Sequence, residues 1–175
     1  MHTHQPQQQA GSHAPLYTAE ERRRRDASAW TLVQGVLAPV QFLVFLISLA
    51  LVLRYLSTGA GLEVATLSVV IKTLLLYTIM ITGSIWEKEV FGVWLFARPF
   101  FWEDVFSFAV LALHTAYLAA LATDALDARS LMWLALAAYF TYVINAGQFL
   151  LKLRAARLQQ AEPPALGNDA LAACK

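Results

Sequence analysis

The residues best equipped for chemistry in this chain are four carboxyl groups in two tight sets, Glu87 with Glu89 and Glu103 with Asp104. Around them lie Trp86, Trp94, Trp102 and four phenylalanines, Phe91, Phe96, Phe100 and Phe101. Carboxyl groups at a half-dry boundary suit general acid–base catalysis, in which one delivers a proton and an ionised neighbour takes one from water. Glu87 and Glu103 form the leading pair, each the first charge at the inner end of its predicted helix; Asp104 and Glu89 are reserves on other faces. A belt of aromatic residues at a membrane surface accounts for the tryptophans alone. It leaves unexplained two carboxyls within one turn of apolar chain on either side of the same loop.

Further polar residues recur at helical spacing inside apolar blocks. At about 100° per residue, Gln34, Gln41 and Ser48 share one stripe, as do Ser107 and His114 with Glu103, and Asn145 and Gln148 with Lys152. Such stripes face a bundle interior, either as hydrogen bonds between helices or as the lining of a polar cavity. His114 is the one histidine within an apolar block, and it is a candidate packing residue, metal ligand or proton relay. Lys72, alone in the second block, is expected to snorkel toward the outer surface or else to pair with an anion, as on a neighbouring subunit. Lys88 and the run Arg22–Arg25 offer cations to an acidic group on a ligand, with Trp86 and Trp102 as apolar walls.

The elements that must position these residues are membrane spans. Of 175 residues 58% are hydrophobic and 14% charged, with mean hydropathy +0.52. That is about half the charge of a soluble domain. Leu32–Leu53 and Ser130–Leu151 hold no Asp, Glu, Lys or Arg; Val64–Trp86 carries only Lys72, and Val105–Thr123 is uncharged. Each block can cross a bilayer as one helix of about 20 residues. The expected fold is all-α, an integral membrane four-helix bundle with spans near 30–56, 63–87, 103–123 and 129–156. Three parts follow: a polar leader over 1–15, the membrane domain over 16–158 and a Pro/Ala-rich tail over 159–175. Thr18 with Glu21 marks the start of a short helix before the first span. Nine Lys and Arg flank the spans on the side of both termini, against Arg54 and Arg129 on the other, so both ends are expected in the cytoplasm.

Long strings carry a resemblance. Trp30–Phe42, Ser84–Gly92, Phe101–Phe106, Leu113–Tyr117 and Tyr142–Leu150 resemble the 3-vinyl (also written 2-vinyl) bacteriochlorophyllide hydratases of phototrophic bacteria, over about 16–157. The resemblance implies a hydro-lyase without cofactor that adds water to the 3-vinyl group of a chlorin or bacteriochlorin, giving a 3-(1-hydroxyethyl) group. It implies a multi-pass protein of the bacterial inner membrane, cytoplasmic or intracytoplasmic photosynthetic. Its partners would be the chlorophyllide or bacteriochlorophyllide, lipid, and a second copy or other enzymes of the pigment route. The site roles above come from the residues themselves, with Mg²⁺ belonging to the substrate and His114 its candidate ligand.

Other classes fit less well. A net charge of +1 offers no field for nucleic acid. A single cysteine, Cys174, allows no disulfide or thiolate metal site, and His2, His4 and His13 sit in the polar leader. A non-enzymatic subunit binding pigment, haem or quinone is the alternative, yet bis-histidine haem ligation needs two membrane histidines. A small transporter would show a repeated half, which these blocks lack.

Overall fold

The computed structural model describes residues 16–161. Expectations for the leader over 1–15 and for the tail beyond 161, including its histidines and Cys174, lie outside the described residues.

Among the described residues all regular structure is helical. The elements are α1 (Ala19–Ala27), α2 (Ala29–Thr58), α3 (Leu62–Phe91), a single 3-10 turn (Arg98–Phe100), α4 (Phe101–Ala122) and α5 (Ala128–Ala161). The spans match the four apolar blocks, and α5 runs past the expected 156 to Ala161. Thr18 caps α1 as expected: its hydroxyl accepts the Glu21 N–H, and the Glu21 carboxylate accepts the Thr18 N–H. Ser28 then ends α1 and begins α2, its hydroxyl accepting the Trp30 N–H at 3.2 Å.

α2 packs antiparallel on α3, and α4 on α5, with α2 also reaching α5. The α2–α3 turn uses Gly59 and Gly61 at φ 74° and 86°, a left-handed backbone that glycine adopts without steric cost. Gly92, at φ 80°, stops α3 in the same way. Phe45, Val52, Val69, Leu76, Val110, Met132 and Tyr139 belong to the apolar centre. Leu32, Phe140 and Leu151 are about 70% exposed on the outside, so the bundle turns an apolar surface outward as well as inward. Only a hydrocarbon environment suits such a surface, which makes this a multi-pass membrane protein.

The polar stripes join helices. Gln34 donates to Thr82 at 2.7 Å, Ser48 bonds both Ser68 and Tyr139 at 2.6 Å, and Asn145 donates to the Ser107 hydroxyl at 2.9 Å. The expected snorkelling of Lys72 is not what the fold does. Lys72 is fully buried, with Nζ 3.8 Å from the centre of the Tyr142 ring. Its position on α3 faces the bundle interior, and the aromatic face offsets part of the desolvation. The polar end of the bundle, where α2 and α4 start and α3 and α5 finish, gathers the carboxyl groups.

Candidate active site

Two elements meet at that end with a linker over 92–97 between them. α3 brings Glu87 and Glu89 in its last two turns, and α4 brings Glu103 and Asp104 in its first. Acidic residues in a first turn are favoured by the N-terminal end of the helix dipole. Glu87 and Asp104 are both buried and lie beside each other under the linker. Two carboxyls in such contact hold one proton between them, because both cannot ionise side by side. The linker arches over them. The Phe96 N–H donates to Asp104 Oδ2 at 2.7 Å, and the next N–H, of Ala97, donates to Glu87 Oε2 at 3.1 Å. Phe96 adopts φ 60°, unusual for a bulky residue, and that turn aims two consecutive N–H groups at the pair.

Of the four carboxyls expected at this end, the fold brings Glu87 beside Asp104 and sets Glu103 apart. Glu103 is buried too, but its carboxylate accepts Lys152 Nζ at 2.6 Å, and Lys152 also donates to the Pro99 carbonyl. The inner stripe of α4 looks toward α5, whereas Asp104, one residue further round, looks toward α3 and the linker. Glu89 accepts the Ser28 hydroxyl at 2.8 Å and ties α3 to the α1–α2 junction. Lys88 is exposed, donating to the Gly92 carbonyl at 2.8 Å.

Aromatic rings surround this centre on two sides. Inside, Trp86 donates its ring N–H to Thr31 at 2.9 Å and meets Phe91 and Phe100 edge-on, with Tyr17 completing the cluster. Outside, Phe96 stacks on Phe108 with centroids 5.5 Å apart and meets Phe101 at 5.6 Å; Trp102 stands edge-on to Phe101. All four outer rings are well exposed on the membrane-facing surface, Trp102 most of all. Residue types give no warning that Phe96 pairs with Phe108, because that pairing depends on the turn at Phe96.

The remaining candidates lie deeper. Gln34 is committed to Thr82, while Gln41 Nε2, Asn145 Oδ1 and Gln148 Oε1 are enclosed without a hydrogen-bond partner among the described residues. His114 is fully buried, and its Nδ1 lies 2.8 Å from the Val110 carbonyl. Ten residues of α4 separate His114 from Asp104, about 15 Å of helical rise.

A family model described as 2-vinyl bacteriochlorophyllide hydratase matches residues 17–155. A protein of Rhodobacter capsulatus named 2-vinyl bacteriochlorophyllide hydratase is 68% identical over 154 residues, covering 88% of this chain and 90% of the relative. One of the same name from Cereibacter sphaeroides is 68% identical over 154 residues, covering 88% and 96%. No solved structure matches.

Proposed function

The chain belongs to the 2-vinyl bacteriochlorophyllide hydratase family, and from that footing we propose that Glu87 and Asp104 are the acid and base of its reaction. It is a hydro-lyase of bacteriochlorophyll biosynthesis, acting on a bacteriochlorophyllide and converting its vinyl group to a 1-hydroxyethyl group. Membership sets aside a non-enzymatic haem or quinone subunit.

The single observation that carries the site is the buried Glu87–Asp104 contact, fixed by two consecutive backbone N–H groups. The proton they share resides on Glu87, at the C-terminal end of α3, where the carbonyl dipoles oppose a negative charge. Asp104, in the first turn of α4 and closer to its N–H donor, carries the charge. Glu87 protonates the terminal vinyl carbon, forming a C–H bond and leaving a cation delocalised into the macrocycle. A water molecule forms the C–O bond at the adjacent carbon and gives one proton to Asp104. The sum is one H₂O added across one double bond, with the spare proton passing between the touching carboxyls to reset the pair. No redox or nucleotide chemistry enters this sequence, which is why the reading includes no cofactor.

A flat macrocycle has a natural seat on the exposed Phe96, Phe101, Trp102 and Phe108 surface, reached sideways from lipid. Its rim would bring the vinyl group to the linker over 92–97, which shifts to admit it. Lys88 and Arg98, exposed at the same end, suit the pigment's carboxylate. The nine-to-two bias of basic residues puts this end in the cytoplasm, with the protein in the cytoplasmic or intracytoplasmic photosynthetic membrane. Purified protein given vinyl bacteriochlorophyllide in nanodiscs should yield pigment heavier by one water. Vinyl pigment recovered unchanged would refute the activity.

A further inference from the structure

Away from the carboxyl pair, three buried polar side chains lie inside the bundle, on the facing helices α3 and α4. Lys72 on α3 and His114 and Tyr117 on α4 are all fully buried. Lys72 Nζ and His114 Nε2 have no hydrogen-bond partner among the described residues, and the Tyr117 hydroxyl lies beside Thr66 without closing one. Lys72 is the charged group near enough to act on the His114 ring, and the Tyr139 ring lies 5.8 Å from it. Since the Val110 carbonyl can only accept, His114 Nδ1 carries hydrogen and Nε2 presents a lone pair. The centre thus offers a donor at Lys72, an acceptor at His114, and a hydroxyl at Tyr117.

Those roles decide the ligand. A bare anion would suit Lys72 but face the lone pair of His114, and a metal cation would meet the ammonium group. Water accepts from Lys72 and donates to His114 at once. The same requirement recurs toward the carboxyl pair. Asn145 Oδ1 and Gln148 Oε1 are enclosed acceptors about one turn apart on α5. Asn145 bonds Ser107 and Lys152 bonds Glu103, so Gln148, lying between them on an antiparallel helix, stands level with Asp104.

We infer that Lys72, His114 and Tyr117 hold a buried water cluster, and that water from it, passing Asn145 and Gln148, is the water added to the vinyl group. The second part rests on the hydratase reading; the first does not. Pigment then arrives from lipid and water from within the protein, so the reacting carbon need never open to bulk solvent.

Radiolytic hydroxyl-radical footprinting of the full chain in lipid nanodiscs, without pigment, tests the cluster, because radicals form where water is bound. His114 and Tyr117 should be oxidised readily, while Met132, equally buried in the apolar cluster that Tyr117 borders and intrinsically more reactive, stays protected. Absence of oxidation at His114 and Tyr117, or equal oxidation of Met132, overturns the cluster. Lys72→Met, with Tyr117→Phe as a second variant, should reduce labelling at His114 while helical circular dichroism is unchanged. Unchanged labelling in both folded variants would also overturn it. The same variants should lower kcat about tenfold, the equivalent of one ordered water's hydrogen bonds, with pigment KM unchanged. Labelling lost with kcat intact overturns the supply role and leaves the hydratase reading standing.

Discussion

Phe96 lies face to face on Phe108, with centroids 5.5 Å apart and 12° between planes, while its own N–H holds Asp104 at 2.7 Å. One residue thus joins the surface suited to a flat pigment to the carboxyl group suited to catalysis. Its φ of 60° costs about 1–2 kcal/mol for an L-residue with a side chain. Phe96→Gly should relieve that strain and remove the ring. The expected result is a melting temperature at or above the parent's with a pigment KM raised about tenfold, the loss of roughly 1.4 kcal/mol of aromatic contact. A parental KM would remove Phe96 from the pigment surface.

Glu87→Gln and Asp104→Asn should each lower kcat by about a hundredfold or more, the usual contribution of a general acid or base. Both amides keep the backbone N–H contacts to the linker, so membrane insertion and pigment affinity should be preserved. Rates within a few-fold of the parent in both variants would exclude this pair, and Glu103 and Glu89 would then be tested.

Lys152→Met should act on stability. It leaves the Glu103 carboxylate, 7% exposed, without its ion pair and frees the Pro99 carbonyl. Removing one partner of a buried pair costs about 3 kcal/mol. Thermal unfolding followed by circular dichroism should show a clear drop, and adding Glu103→Leu should recover much of it.

Asp127 supplies a pH-dependent test away from the chemistry. The Ser130 hydroxyl and N–H, with the Arg129 N–H at 3.1 Å, hold its carboxyl below the usual value of 3.8 and cap α5. A lowered carboxyl stabilises the fold above the ordinary aspartate range and loses that effect as pH falls through the lowered value. Asp127→Ala should therefore melt below the parent at neutral pH, with the gap closing in acid. Asp127→Asn, also a good cap, should keep most of the stability and show no such closing.

Reporter fusions at Gly61 and Asp127, in the two short turns opposite the carboxyl end, should report the periplasm. A cytoplasmic signal at either position would reverse the proposed orientation.

Much of the architecture was legible because a bilayer tolerates few ways of hiding a backbone. Uninterrupted apolar blocks specified four spans, and Thr18 with Glu21 specified α1. The inward direction of Glu103, Ser107 and His114 followed from helical spacing. What spacing on one helix does not contain is the rotation of its neighbour. Glu103 does face the interior, but the facing helix is α5 and the facing group Lys152, while Asp104 turns to α3. Lys72 was misread for a related reason: snorkelling depends on whether a residue meets lipid or protein, and α3 meets protein there. Phe96 stands among the aromatics around the carboxyls, but its turn has no compositional mark, because a left-handed backbone at a residue other than glycine leaves none.

The turn that leads from the linker into α4 is held by α5, the last of the described helices. Lys152 grips the Pro99 carbonyl, and Phe149 stacks on Phe100 at 6.0 Å, both from α5. A ribosome that has delivered α4 to the membrane has already placed all four carboxyls there, together with the linker contacts that aim two of them. What α5 adds is the clamp on the turn at Pro99 and Phe100, so the arch is shaped early and locked late.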